Sequence, residues 1–392
     1  MNRTPLVTKA RVTAFAVCFF LLSTTCGASV DRRDTKTDMD LSHSRTETEV
    51  TGVYATDTVR KPYKLRFMSY NVENLFDPLD DPDTDDEAFT PEGAYKWTRS
   101  KLDRKLRQLA SVISDVGEWG FPSVVGLVEV EDLEVVRALV KTDPIRKADY
   151  RFSVTRGADP RGIDVALLWN PKDFKQVEAY EIPHYGAPLY YPLRKDPRTK
   201  RERSGKGRSS LWVALEDRKT GDLYDVIVVH LPSRRGGTNS TSEKREEVNG
   251  KLNRVLDAIE ARREMPRIII MGDFNDSPTN VSVKDSLRSR PINDAHGSFR
   301  THDLYNLASD LEEKGLGTYY FGNRLWLPDQ IMVSGALLAP GSRTRVTERR
   351  EVIFSPAYLR SGKGPKRSFR GNRFISGGFS DHYPVYMDIS VE

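Results

Sequence analysis

The sequence predicts a layered α/β domain in which sheet packs on sheet and helices lie outside. Apolar runs of strand length outnumber the segments with a helical period, and the long helical segments fall between strands rather than in one block. No internal repeat is visible. In order, the strand candidates are "LRFMSY", "SVVGLVEV", "DVALLWN", "LWVALE", "YDVIVVH", "RIIIMG", "DQIMVS" and "YPVYMDI". The first helix is expected over Arg99 to Val116, where Leu102, Leu106, Leu109, Ile113 and Val116 share one face. The second is expected over Ser242 to Glu264, with Val248, Leu252, Val255, Leu256 and Ile259 in the same relation.

The chain has 392 residues, 38% hydrophobic and 30% charged, enough to bury a sizeable core. Its N-terminus reads as a separate segment. Arg3, Lys9 and Arg11 precede the apolar run Val12 to Leu22 and then "STTCGAS", the layout of a secretory signal peptide over 1–28, too short to span a membrane. Ordinary cleavage near Ala28 is one outcome. The other is lipidation of Cys26, a membrane tether, although Ser23 and Thr25 depart from the lipoprotein pattern. Either outcome makes the protein exported: periplasmic, extracellular or membrane-anchored. Residues 29–62 are polar and without hydrophobic period, which predicts a disordered linker, and 63–392 should hold a single folded domain. Cys18 lies in the apolar run, so the mature body has no internal disulfide to form.

Charge is uneven. A formal net charge of +5 suits an anionic partner without specifying one. Leu193 to Arg208 holds eight basic residues against Asp196 and Glu202, and Arg360 to Arg373 holds six with no acid. These are either solvated loops or contacts to a phosphate backbone. The stretch "DPLDDPDTDDE", Asp77 to Glu87, carries seven acids and reads as a surface loop; its oxygens are dense enough for calcium, but the spacing is not that of an EF-hand.

The chemistry lies where strands end. Asn71 closes the first strand, Glu129 the second and His230 the "VIVVH" strand; Asp273 and Asn275 follow "RIIIMG"; Asp329 opens "DQIMVS", and Asp381 with His382 precedes the last strand. An Asp or Asn after a strand is commonly a turn former or a helix cap. Their joint occurrence at strand ends, which can converge on one rim, is what points to a site. Asn71, Glu129, Asp273, Asn275 and Asp381 offer hard oxygens suited to Mg²⁺ or Mn²⁺, while His230, His382 and Asp329 offer proton-transfer and orienting groups. Zinc suits this set less, with no thiolate and two well-placed histidines.

The ordered set "SYNVENLF", "GLVEVED", "RGIDVALLW", "VVHLPSRR", "MGDFND", "PDQIMVS" and "FSDHYPV" resembles the endonuclease/exonuclease/phosphatase superfamily, which includes DNase I and exonuclease III-like nucleases. The resemblance covers Leu65 to Ile389, and the opening "NVENLFD" with "SRRGG" looks most like its exported bacterial branch. It implies a four-layered α/β sandwich of two packed mixed β-sheets flanked by helices. Glu129 is then implied as the principal metal ligand, with Asn71 and Asp381 beside it. Asp273 would orient or deprotonate the attacking water and Asn275 would donate to a phosphate oxygen. His382, held by Asp329, and His230 would contact the phosphate, His230 also as a general acid. Arg161, Asp164, Arg234 and Arg235 are the candidate substrate contacts, and Trp326 could stack on a base or sit in the core. The expected function is a metal-dependent phosphoesterase acting on nucleic acid or another phosphoester, without an obligate protein partner. A phosphomonoesterase, a lipid phosphodiesterase and a silent polyanion-binding module are the alternatives.

Overall fold

The computed structural model describes residues 61–193, 207–234, 238–295 and 298–392. The expected signal segment, Cys26 and nearly all of the polar linker lie outside them, as do Arg235 and most of the basic stretch after Leu193. No described helix is long and apolar enough to cross a membrane.

The first sheet joins β1 (Tyr63–Leu75), β2 (Val124–Val130), β3 (Arg151–Val154), β4 (Asp164–Trp169), β15 (Thr344–Val346) and β21 (Val385–Val391) in the order β15-β21-β1-β2-β4-β3, with β16 (Val352–Ile353) beside β21. The second joins β5 (Phe174–Pro183), β6 (Tyr191–Pro192), β7 (Ser209–Asp217), β8 (Leu223–His230), β9 (Arg267–Asp273), β10 (Ser289–Pro291), β11 (Leu304–Asn306) and β14 (Asp329–Ser334) in the order β10-β11-β14-β9-β8-β7-β5-β6. Both are mixed: β1–β2 and β8–β9 run parallel, while β1–β21 and β9–β14 run antiparallel. Three hairpins complete the strands, from β12 (Tyr319–Phe321) with β13 (Arg324–Trp326), β17 (Arg360–Ser361) with β18 (Gly364–Pro365), and β19 (Phe369–Arg370) with β20 (Arg373–Phe374).

Period-two alternation sorts each strand between two cores. In β1, Leu65 and Phe67 point inward to meet Val213, Val228, Ile269 and Met271 of the second sheet, whereas Met68 and Tyr70 point outward. There they meet Leu102, Leu106, Leu109 and Ile113 of α1 (Arg99–Val116), together with α2 (Leu133–Val140). On the opposite side, Val248, Leu252, Val255 and Ile259 of α3 (Thr238–Glu260) cover Ile227, Val229, Ile268 and Ile270. The result is four layers, helix–sheet–sheet–helix, as expected.

The predicted strands are all present and α1 has the predicted bounds. β5 was not expected. Its "FKQVEAYEIP" keeps only the ends buried, so charge at Lys175 and Glu178 masks the alternation. Within the acidic stretch, Asp80, Asp81, Asp83 and Asp85 are exposed, as a surface loop requires, while Asp86 is buried.

Candidate active site

Strand ends of both sheets bring the chemical residues to one rim, and the backbone bends to aim them there. β1 loses register with β2 after Asn71, where Glu73 (φ 52°) and Asn74 (φ 56°) are left-handed; β2 bulges at Glu129, itself at φ 66°. Asn275 follows at φ 51°. Left-handed conformation in residues other than glycine costs free energy, and its concentration at this rim marks a built site.

The rim is stitched across the two sheets. Asn71 Nδ2 donates to Asp273 Oδ2 at 3.0 Å, and Asn71 Oδ1 accepts from the Glu73 N–H at 3.0 Å. His382 Nδ1 lies 2.6 Å from Asp329 Oδ2, which also accepts from Thr318 Oγ1. His230 Nε2 is 3.8 Å from both Glu129 Oε1 and Asp273 Oδ2, and His382 Nε2 is 3.9 Å from Asp273 Oδ2 and from Asp381 Oδ1. Ser380 Oγ donates to the Asn71 carbonyl and accepts from the His382 N–H, fixing the turn that presents Asp381 and His382. In the same turn Gly378 leaves no room for a side chain, because a Cβ there would fall 1.9 Å from Arg367 O.

Two buried histidines take different charge states. At His230, burial followed by the nearby Arg208 and Arg161 guanidinium groups drives the pKa well below the ordinary value, so this ring is neutral. Burial opposes charge at His382 as well, but Asp329, with Asp381 and Asp273, overrides it and lifts the pKa well above the ordinary value. Burial pushes the Asp273 carboxyl up to about 7 against the pull of His382. Asp381 is likewise raised by burial, with His382 opposing and Glu129 reinforcing the shift.

The donor set fits a hard divalent cation. Glu129, Asp273 and Asp381 crowd together, and among the described residues none of them is ion-paired to Lys or Arg. One ligand atom each of Asp273, Asp329 and His382 also lies within 4.8 Å of the others, all three residues buried. Both Asp273 oxygens and Asn71 Oδ1 already accept hydrogen bonds, so the freer oxygens among the described residues are those of Asp381, Glu129 Oε1 and the buried, unsatisfied Asp329 Oδ1.

Other expected residues are placed differently. Asp164 Oδ1 accepts from Thr155 Oγ1 at 2.5 Å and from the Gly157 N–H at 2.7 Å, so this carboxylate closes the loop before its strand. Arg161 pairs with Asp159 at 3.4 Å and keeps a partly exposed guanidinium near His230. Arg234 is held by Asp276 at 3.0 Å and lies over the Trp326 ring, which is half-buried. Asn275 commits one amide N–H to Leu231 O at 2.9 Å.

Several supporting groups escape sequence reading. Arg208 sits at the end of a run that reads as solvated charge, yet it is buried, pairs with Asp159 at 3.1 Å and donates to Leu231 O directly after His230. Buried Lys105 of α1 donates to Ser368 Oγ at 2.7 Å, while Glu73 accepts from the Ser368 and Phe369 N–H groups. Thr318 carries no signal beyond a hydroxyl.

A family model described as the Endonuclease/Exonuclease/phosphatase family matches residues 66–391. The chain belongs to this endonuclease/exonuclease/phosphatase family. Its enzymes hydrolyse phosphoesters and use divalent metals, in keeping with the oxygen-rich donor set at the rim. No curated protein matches. Among solved structures, an endonuclease/exonuclease/phosphatase family protein from Bacteroides thetaiotaomicron aligns at 17% identity over 85% of this chain and 96% of its own, with a TM-score of 0.50. A mannosyl-6-phosphatase of the same species aligns at 16% identity over 83% and 99%, also at 0.50. Likeness at this identity establishes the shared sandwich fold.

Proposed function

We propose that this family member is a divalent-metal-dependent phosphodiesterase, with nucleic acid as its substrate. The observation that carries the reading is the cross-sheet cluster itself. Three carboxylates with no Lys or Arg ion pair among the described residues stand beside one cationic and one neutral histidine, a layout suited to a phosphate group held between a cation and hydrogen-bond donors. Glu129, Asn71 and Asp381 would hold Mg²⁺ or Mn²⁺. When bound, such an ion supplies charge neutralisation for the phosphoryl oxygens.

The protein's own groups divide the remaining work. Asp273, hydrogen-bonded by Asn71 Nδ2 and the Asn275 N–H, is the acceptor for a proton of the attacking water and fixes its direction. His382, kept cationic by Asp329, donates through Nε2 to a phosphoryl oxygen. His230 donates as a neutral ring, a role its lowered pKa favours over that of proton source for the leaving oxygen. Asn275 has a second amide N–H for the same phosphate, and Arg161 brings a partly exposed guanidinium near His230. We also retain export as part of this proposal, on the N-terminal sequence alone.

The test is a substrate panel of bis-p-nitrophenyl phosphate, p-nitrophenyl phosphate, plasmid, single-stranded DNA and RNA, with Mg²⁺, Mn²⁺ or EDTA. The expected result is metal-dependent turnover of the diesters, lost in Asp273→Asn. Turnover of the monoester alone would replace this reading with a phosphomonoesterase. No turnover, with DNA binding retained, would leave a binding module.

A further inference from the structure

Between β16 and β21 the chain makes a long excursion that carries all six basic residues of the run Arg360 to Arg373. Arg360, Lys363, Arg370 and Arg373 are exposed, as solvated loop charge should be. Lys366 and Arg367 are half-buried. The backbone that bears this pair is held on both flanks. Lys366 N–H donates to Leu359 O at 2.7 Å, and Lys366 O accepts from the Phe379 N–H at 2.6 Å. On the other flank the Ser368 and Phe369 N–H groups donate to the Glu73 carboxylate. Ser368 Oγ accepts from buried Lys105 Nζ and donates to Phe379 O, both at 2.7 Å. The Phe369 ring then packs among aromatic neighbours, with centroids 5.0 Å from Tyr95 and 5.5 Å from Trp97.

Arg367 lies directly against the turn that presents Asp381, because its carbonyl oxygen fills the space a Cβ on Gly378 would need. This closely held backbone carries a side chain committed to nothing. Among the described residues the Arg367 guanidinium forms no ion pair and no hydrogen bond. Half-burial takes water from a charged group without returning a bond, a cost that a ligand can offset. The charge of Arg367 reaches the metal side of the site. At Asp381, where burial raises the pKa, His382 opposes and Glu129 reinforces, the next charge felt is that of Arg367, ahead of Lys105. Arg161 is felt instead at His230, so the two guanidinium groups approach the cluster from different sides.

We propose that Arg367 is a substrate-binding residue that donates to the oxygens of the scissile phosphate from the Asp381 side, across the cluster from His230 and Arg161. The inference rests on the phosphoesterase reading for the identity of the anion and on the uncommitted guanidinium for its place. The planar fork of arginine suits two oxygens of one phosphate group. Its position beside Asp381 selects the scissile phosphate over a flanking one, which the exposed members of the run are better placed to meet. The Glu73–Ser368–Lys105 bonds then have a purpose beyond closing a loop: they hold the backbone on which this arginine stands.

The test uses the Mn²⁺-loaded protein with inorganic phosphate as the probe, read as the phosphate-dependent rise in Tm within each variant. Arg367→Gln should weaken phosphate binding on the order of ten-fold, with Arg367→Lys between it and wild type. Mn²⁺ affinity, followed by the electron paramagnetic resonance signal of the free ion, should be unchanged or tighter, because a cation has left the neighbourhood of the ligands. In turnover, kcat/KM should fall by the same factor on bis-p-nitrophenyl phosphate and on an oligonucleotide. Phosphate binding that is equal in both proteins would overturn the proposal, as would a wild type that phosphate does not stabilise. Mn²⁺ affinity that falls as far as phosphate affinity would also overturn it, making Arg367 a support for Asp381. So would a loss on the oligonucleotide much larger than on the small diester, which would move the contact to a flanking phosphate. Because phosphate binding needs no turnover, a failure of the phosphodiesterase reading would be seen separately, as wild-type protein that binds phosphate and cleaves no diester.

Discussion

The two sheets contribute unlike chemistry to the rim. From the first come Asn71, Glu129 and the Asp381–His382 pair, chiefly oxygen donors aimed by bulges and a pinned turn. From the second come His230, Asp273 and Asp329, groups that accept, hold or orient protons. Hydrogen bonds Asn71–Asp273 and His382–Asp329 both cross between them, as does the close approach of Glu129 to His230. Below the rim the same interface is apolar, with Phe67, Val128, Val228, Ile269 and Met271 in one cluster. The sheets are thus glued by burial and made functional by polar bonds at one edge, so a change on either sheet should be felt by the groups of the other.

The largest expected effect is that of Asp273→Asn, which removes the proton acceptor on the second sheet while keeping the shape; kcat should fall on the order of 10³ to 10⁴. Next comes Asp329→Asn, which leaves His382 without the carboxylate that keeps it cationic and should lower kcat on the order of 10² to 10³. Measured kcat on bis-p-nitrophenyl phosphate checks both. If Asp329→Asn were neutral, the crossing bond to His382 would have no part in the chemistry.

Gly126→Val probes the aliphatic part of the interface. A Cβ at Gly126 would lie 2.9 Å from Met271 Cε and 3.2 Å from Val228 Cγ2, so the sheets close over this glycine. Overpacking there should cost about 1–3 kcal/mol in denaturant unfolding, with activity per folded molecule largely kept. Loss of activity without loss of stability would show that the interface and the rim are not separable in this way.

The smallest effect concerns the second sheet in mild acid. His184, next to the end of β5, is held down to about 3 by burial, followed by Arg208 and Lys251. Its unfolded value is about 6.5, so between these pH values the unfolded chain binds the extra proton and stability falls as pH drops. His184→Gln should flatten the stability–pH curve below about pH 6.5 by up to about 1.4 kcal/mol per pH unit relative to wild type. Parallel curves for the two proteins would contradict a neutral buried ring.

Much of this was legible in the sequence because strands and the residues that end them are neighbours in the chain. "RIIIMGDFN" states a buried strand and its Asp273 in one breath, and the period of α1 fixes both its face and its limits. What stayed hidden is relational. Asn71 and Asp273 are 202 residues apart, and nothing local says that one amide will meet the other carboxylate. Arg208 reads as solvated charge because its neighbours do; only the fold buries it against Asp159 and behind His230. Asp164 shows how a strand-opening carboxylate beside a glycine-rich turn is engaged by that turn, a bond no local pattern announces.

The most direct test of a site that works as one unit is a double-mutant cycle across the sheets, Glu129→Gln with Asp273→Asn, measured as kcat for bis-p-nitrophenyl phosphate with Mg²⁺. The two losses should not multiply: the double variant should be about as slow as the slower single variant. Losses that multiply fully, or a wild-type protein that leaves the diester intact, would contradict the account.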